Sequence, residues 1–138
     1  MRRSHTLGVR AIVRDEKGHV FLVKHTYVKG WYLPGGGVDR GETFHQALEK
    51  ELREEGNIYL KGEARFLAIY QNRNMSKRDH VALYECVNWH QPKPPKLPNG
   101  EILKAGFFAP DNLPDDVTDG TRRRLEEVAA GGPYNPYW

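Results

Sequence analysis

Gly35-Gly-Gly-Val-Asp-Arg-Gly-Glu42-Thr-Phe-His-Gln-Ala-Leu-Glu-Lys-Glu51-Leu-Arg-Glu54-Glu55-Gly-Asn-Ile58 sets a glycine-rich loop directly against a helix crowded with glutamates. Placed on a wheel at about 100° per residue, Ala47, Leu48 and Leu52 fall within about 80° of Phe44 and form an apolar stripe. Glu51 and Glu55 fall inside that stripe, and Glu54 lies at its edge. His45, Gln46, Glu49 and Arg53 point the other way. Three carboxylates therefore sit on or beside the face that should pack inward.

A plain helix gains nothing from this arrangement. Glu51, Glu54 and Glu55 are spaced i, i+3, i+4, where like charges repel by about 0.2–0.5 kcal/mol per pair. They lie in the last turns, where the helix dipole disfavours negative charge. A buried carboxylate needs a partner or a metal. A divalent cation answers all three objections, and carboxylates suit the hard ions Mg²⁺ and Mn²⁺. The opposing reading is a solvated acidic face with Lys50 and Arg53 neutralising part of the charge. The wheel position and the glycine loop upstream decide against it.

The stretch resembles the Nudix box. Gly36 opens it, Glu42 follows after five residues, and after seven more come Lys50, Glu51, Leu52, Arg53, Glu54, Glu55, Gly56, Asn57 and Ile58. Two positions depart from the family pattern. Lys50 stands where Arg is usual, and Asn57 where Gly is usual. Asn57 is expected to end the helix, because Asn tolerates the left-handed conformation next best after Gly, with Gly56 beside it as the other candidate. Lys50 keeps the charge but loses the planar fork that grips a carboxylate at two points, so a weaker clamp on the loop or on a glutamate follows.

The resemblance implies an α/β fold, an α/β/α sandwich around a mixed β-sheet, formed as a single domain over residues 1–138. It implies an enzyme hydrolysing the diphosphate linkage of a nucleoside diphosphate derivative with Mg²⁺, or Mn²⁺ in its place. Glu51, Glu54 and Glu55 would hold the ion, with the backbone carbonyl of Gly36 as a further ligand. Glu54 is the favoured base, and Glu101, before the last strand, is a candidate extra ligand or base beside the solvated-acid reading. Asp79 and His80 are further candidates. Glu42 and Lys50 would orient the loop. A catalytically silent Nudix module that senses a nucleotide is the alternative. A hydrolase acting on RNA ends is a third reading, which a separate basic extension would favour and these residues do not supply.

The rest of the chain fits that frame. The 138 residues are enough for a real core, and 38% hydrophobic and 28% charged residues suit a globular protein. No apolar run approaches the roughly 18 residues that span a bilayer, and no secretory segment follows the basic start, so a cytoplasmic protein is expected. The single cysteine, Cys86, excludes an intrachain disulfide and reads as an inert core thiol. A net charge of +3 fits an anionic small molecule without demanding nucleic acid.

Leu7 to Arg14 and Val20 to His25 read as two strands joined by the turn Asp15–Gly18, hence a hairpin. Pro34 and the glycines should stop any regular element. Further strands are expected over Ala64–Tyr70, His80–Val87 and Ala105–Pro110. Arg73, Lys77 and Arg78 lie on a polar segment between two of them, either as phosphate or ribose contacts or as a solvated hairpin loop. Asn88 to Gly100 holds four prolines and two lysines and reads as a long specificity loop. A helix capped by Thr118 or Asp119 should run from about Thr121 to Ala130 with Leu125 and Val128 inward. Trp31, Tyr32, Tyr70 and Phe107 serve either a base or the core. The aromatic tail to Trp138 either packs on a neighbour, as in a homodimer, or frays.

Overall fold

The computed structural model describes residues 4–138. In chain order the elements are β1 (Thr6–Val13), β2 (Val20–His25), β3 (Trp31–Tyr32), β4 (Gly35–Gly37), α1 (Phe44–Gly56), β5 (Tyr59–Leu60), β6 (Arg65–Gln71), β7 (Asp79–Cys86), β8 (Trp89–His90), β9 (Ile102–Phe108) and α2 (Asp119–Ala130). One sheet has the order β4-β1-β7-β6, a second β3-β2-β9, and β5 and β8 form a small pair. β1 and β7 run parallel in an eight-residue register from Thr6 opposite Asp79 to Val13 opposite Cys86, and the other pairs are antiparallel.

Alternation along β1 and β2 builds two cores. Val9, Ala11, Val13, Phe21 and Val23 face Ala47, Leu48 and Leu52 of α1. Ile12, Val20 and Leu22 face the other way, toward Leu125 of α2. With side chains at period two, the sheets lie between two helices, the expected α/β/α sandwich with a mixed sheet.

The expected hairpin of β1 and β2 does not form. Arg14 and Val20 make a single antiparallel bridge, and the two strands then enter different sheets. Asp15 Oδ1 accepts the backbone amides of Lys17 and His19, which fixes the turn, while Arg14 Nε reaches Glu85 on β7 at 2.9 Å. β1 is drawn to β7 and β4, which satisfy its backbone on both edges, and β2 is left to β9 and β3.

The glycine stretch is regular rather than structureless. Gly35, Gly36 and Gly37 pair with Arg10, Val9 and Gly8. A side chain on Gly35 would start 2.0 Å from the Val9 carbonyl oxygen, so only glycine lets this strand approach β1 so closely.

The ends of α1 follow local chemistry. Thr43 caps the N-terminus, with its hydroxyl accepting from Gln46 N–H and the Gln46 side chain accepting from Thr43 N–H. Asn57, not Gly56, is the left-handed cap, at φ 54° and ψ 35°. Gly56 has a different task, because a β-carbon there would meet the Phe21 ring at 2.8 Å.

α2 starts two residues earlier than expected, at Asp119, with Thr118 as its cap. The tail neither frays nor stands out. Gln71 N–H donates to Pro136 O and Trp138 N–H to Gln71 O, so the tail extends the edge of β6. Trp138 packs into the α2-side core. Arg124 of α2, 1% exposed, sets its guanidinium 4.5 Å from the Tyr70 ring and 5.2 Å from the Trp138 ring and pairs with Glu127 at 2.8 Å.

Candidate active site

The acidic helix turns its carboxylates as the wheel placed them. Glu55 is 1% exposed, Glu51 half-buried and Glu54 exposed. Glu55 Oε1 accepts the Gly35 amide at 2.7 Å, which ties the end of α1 to β4. Glu55 Oε2 is buried with no hydrogen-bond partner among the described residues. Glu51 lies against Gly36, where an added β-carbon would stand 2.5 Å from its carboxyl carbon. Glycine at this position is the space that the carboxylate occupies.

Electrostatics at these groups reflect burial first. Desolvation pushes the Glu55 carboxyl up to about 8; the Gly35 amide and Arg10 oppose it, and Glu51 and Glu101 add to it. Burial and then the charge of Glu54 push Glu51 up to about 7. Burial and Arg10 lower the pKa of His25, against the pull of Glu101. The 3.9 Å contact of His25 Nε2 with Glu55 Oε2 therefore joins two groups whose shifts both favour the neutral form.

These side chains suit a divalent cation. Glu51 adds to the cost of ionising Glu55, one oxygen is orphaned among the described residues, and donors of His25, Glu55 and Glu101 lie within 4.8 Å of one another. A hard cation at buried oxygen ligands offsets such costs.

The loop between β4 and α1 is held from the helix. Lys50 Nζ reaches Glu42 Oε2 at 2.9 Å and Asp39 Oδ2 at 3.0 Å. Glu42 Oε1 accepts the Asp39 amide at 2.8 Å. The Asp39 amide, followed by Lys50, holds the Glu42 carboxyl below its ordinary value.

A cleft of about 1200 Å³ opens beside Gly36 and is lined by Arg10, Tyr32, Arg40, Asn72, Asn74 and Arg123 among others. The three expected cations of the 72–78 segment do not line it. Arg73 stacks its guanidinium 3.5 Å from the Tyr137 ring and borders a smaller adjoining pocket. Lys77 is exposed, and its carbonyl accepts from Gln71 Nε2. The Arg78 amide donates to Ser76 Oγ. Asp79 is buried and accepts from Thr6 Oγ1 at 2.6 Å. Of the four aromatic candidates, Tyr32 lines the cleft; Trp31 and Tyr70 are in the core, and Phe107 stacks on Trp89.

A family model described as NUDIX domain matches residues 4–128 of this chain. The chain belongs to the Nudix family.

This Nudix protein is 34% identical over 128 residues to a Bacillus subtilis protein to which 8-oxo-dGTP diphosphatase activity is ascribed, covering 92% of this chain and 82% of the other. It is 27% identical over 133 residues to a human 8-oxo-dGDP phosphatase, of which it spans 40%. Its fold matches the crystal structure of a MutT Nudix hydrolase from Burkholderia pseudomallei with a TM-score of 0.76 and 26% identity, over 92% of this chain and 99% of that one. The expected class, a Nudix pyrophosphohydrolase acting on nucleotide derivatives, agrees with these relatives. No helix among the described residues is long and apolar enough to cross a membrane.

Arg10 and His25 escaped the sequence reading because both lie on strands outside the box. Alternation was the available signal. His25 follows Phe21 and Val23 on the face of β2 that meets α1.

Proposed function

We propose that the chain is a Mg²⁺-dependent hydrolase of nucleoside diphosphate derivatives, with Gly36, Glu51, Glu54 and Glu55 as its metal site. The observation that carries this reading is the orphaned Glu55 Oε2, buried beside a second inward carboxylate. A divalent ion bound there would neutralise phosphate charge and acidify water.

The chain's own groups have distinct parts. Glu55 is held by the Gly35 amide and Glu51 fills the space beside Gly36, which suits both as ligands. Glu54 is exposed and makes no hydrogen bond or ion pair among the described residues, which leaves it free to take a proton as base. Glu101 is a further ligand or base, since its charge is felt at both Glu51 and Glu55. Lys50 and Glu42 position the loop. Arg10, Arg40 and Arg123 give the cleft the cationic lining a polyphosphate requires. Arg73, beside it, is a candidate for the far end of the substrate. The Bacillus subtilis relative makes an oxidised deoxyguanosine triphosphate the first substrate to try.

The test is a panel of nucleoside di- and triphosphate derivatives with Mg²⁺ and with Mn²⁺, read out by the product nucleotide. Metal-dependent cleavage that disappears in Glu51→Gln and Glu54→Gln supports the reading. Tight nucleotide binding without turnover under any metal overturns it in favour of a silent sensor.

A further inference from the structure

β2 carries its alternation one step past the core. His25 occupies the α1-facing position after Phe21 and Val23 and is 8% exposed. Its Nδ1 has no hydrogen-bond partner among the described residues, and its Nε2 lies 3.9 Å from Glu55 Oε2, which has none there either. That separation is too long for a hydrogen bond. Glu55 Oε2 and the far ring nitrogen of His25, Nδ1, are thus both buried without a partner among the described residues.

Glu101 closes the third side. β2 pairs with β9, and the Thr26 amide donates to the Glu101 carbonyl at 2.9 Å, so Glu101 is held opposite the end of β2. One ring nitrogen of His25 and one oxygen from each of Glu55 and Glu101 lie within 4.8 Å of one another. Metal–ligand bonds of about 2.0–2.2 Å would bring such donors slightly closer together. Glu101 is exposed and free to make that adjustment.

We propose that His25, Glu55 and Glu101 form a nitrogen-containing site for a transition-metal ion, Mn²⁺ in the first instance, beside the all-oxygen position at Gly36 and Glu51. It rests on the metal-dependent reading above, with Glu55 shared between the two positions. Imidazole suits first-row transition ions such as Fe²⁺ and Zn²⁺ best, whereas Mg²⁺ takes oxygen ligands. The mixed donor set therefore gives this chain a position for a transition-metal ion that carboxylates alone would not, and paramagnetic Mn²⁺ is the probe that reports it.

The full-length protein is titrated with Mn²⁺ and examined by electron paramagnetic resonance with spin-echo modulation, without substrate. The expected result is bound Mn²⁺ with an imidazole ¹⁴N coupling that is lost in His25→Gln. Glu101→Gln, at an exposed position, should weaken Mn²⁺ binding by about tenfold or more. Bound Mn²⁺ with no nitrogen coupling overturns the inference and leaves the oxygen-ligated Mg²⁺ site standing. A coupling that survives in His25→Gln belongs to another histidine and overturns it too. Should His25→Gln fail to fold by circular dichroism, unchanged Mn²⁺ affinity in Glu101→Gln decides against the site. Absence of any bound Mn²⁺ removes this inference together with the metal-dependent function.

Discussion

Glu51 occupies the space above Gly36 that a side chain would fill, with its carboxyl carbon 2.5 Å from where a β-carbon would stand. Gly36→Ala should push the carboxylate aside with little effect on folding, because a flexible side-chain end moves more easily than backbone. A displacement of this size at a reacting centre costs about 10²-fold in rate. The expected outcome is that drop in kcat with a melting temperature near that of the native protein, checked by steady-state kinetics and a thermal melt.

Asn57 holds two things at once. Its left-handed backbone ends α1, and its Nδ2 donates to the Lys93 carbonyl at 2.9 Å, which pins the proline loop. Asn57→Gly should keep the helix end and release the loop, seen as faster amide exchange over residues 91–99 at nearly unchanged stability. Asn57→Ala should do both kinds of damage. It adds a backbone cost of about 1–2 kcal/mol in chemical denaturation.

Lys50 bridges Asp39 and Glu42 with a single ammonium. Lys50→Met should free the loop, so that the Asp39 amide, now bonded to Glu42 Oε1, exchanges faster and kcat/KM falls. Lys50→Arg should retain both the protection and the activity. Equal exchange rates in Lys50→Met and the native protein would show that the clamp holds nothing.

Glu51 and Glu55 make the metal-free protein sensitive to alkali. Their folded pKa values are raised from 4.5 to about 7 and about 8, so the folded state keeps protons that the unfolded chain releases. Stability from these groups is present below 4.5 and is lost as pH rises through 7 and 8. His25, lowered from 6.5, acts oppositely, losing its contribution as pH falls below that value. The clear window is therefore pH 6.5 to 8. There the melting temperature in a chelator should decline with pH, and Glu55→Gln should flatten the decline. Added Mg²⁺ should raise it most at the alkaline end, where ligands need not shed protons to bind.

The acidic helix was legible because one periodicity governs both its burial and its chemistry. Phe44, Ala47, Leu48 and Leu52 define the stripe, and Glu51 and Glu55 share it. Asn57 was legible as a cap because few residues accept its backbone angles. The strand at Gly35–Gly37 was not, since glycine runs report backbone freedom and conceal pairing. The separation of β1 from β2 was hidden for a related reason. A short polar turn looks the same whether its strands pair or part, and the deciding partner of β1 is β7, far along the chain. Trp138 was undecided for want of a visible partner, and that partner proved to be Arg124, a residue whose charge argued for solvent. The run at Arg73, Lys77 and Arg78 reads as phosphate or ribose contacts because its charges are close together in sequence. Arg10, Arg40 and Arg123 come to the cleft singly, from β1, from the loop before α1 and from α2.

The long parallel register of β1 with β7 also sets an order of events in time. The first strand of the chain finds its main partner only after more than half of the sequence has been made, and its nearer partner, β4, is only three residues long. Pairings between distant segments cost loop entropy before they return any contact, which slows their formation. During synthesis β1 must wait, with Val9, Ala11 and Val13 uncovered on one face and Ile12 on the other, until β7 emerges. The protein's exposure to misassembly is concentrated in that interval.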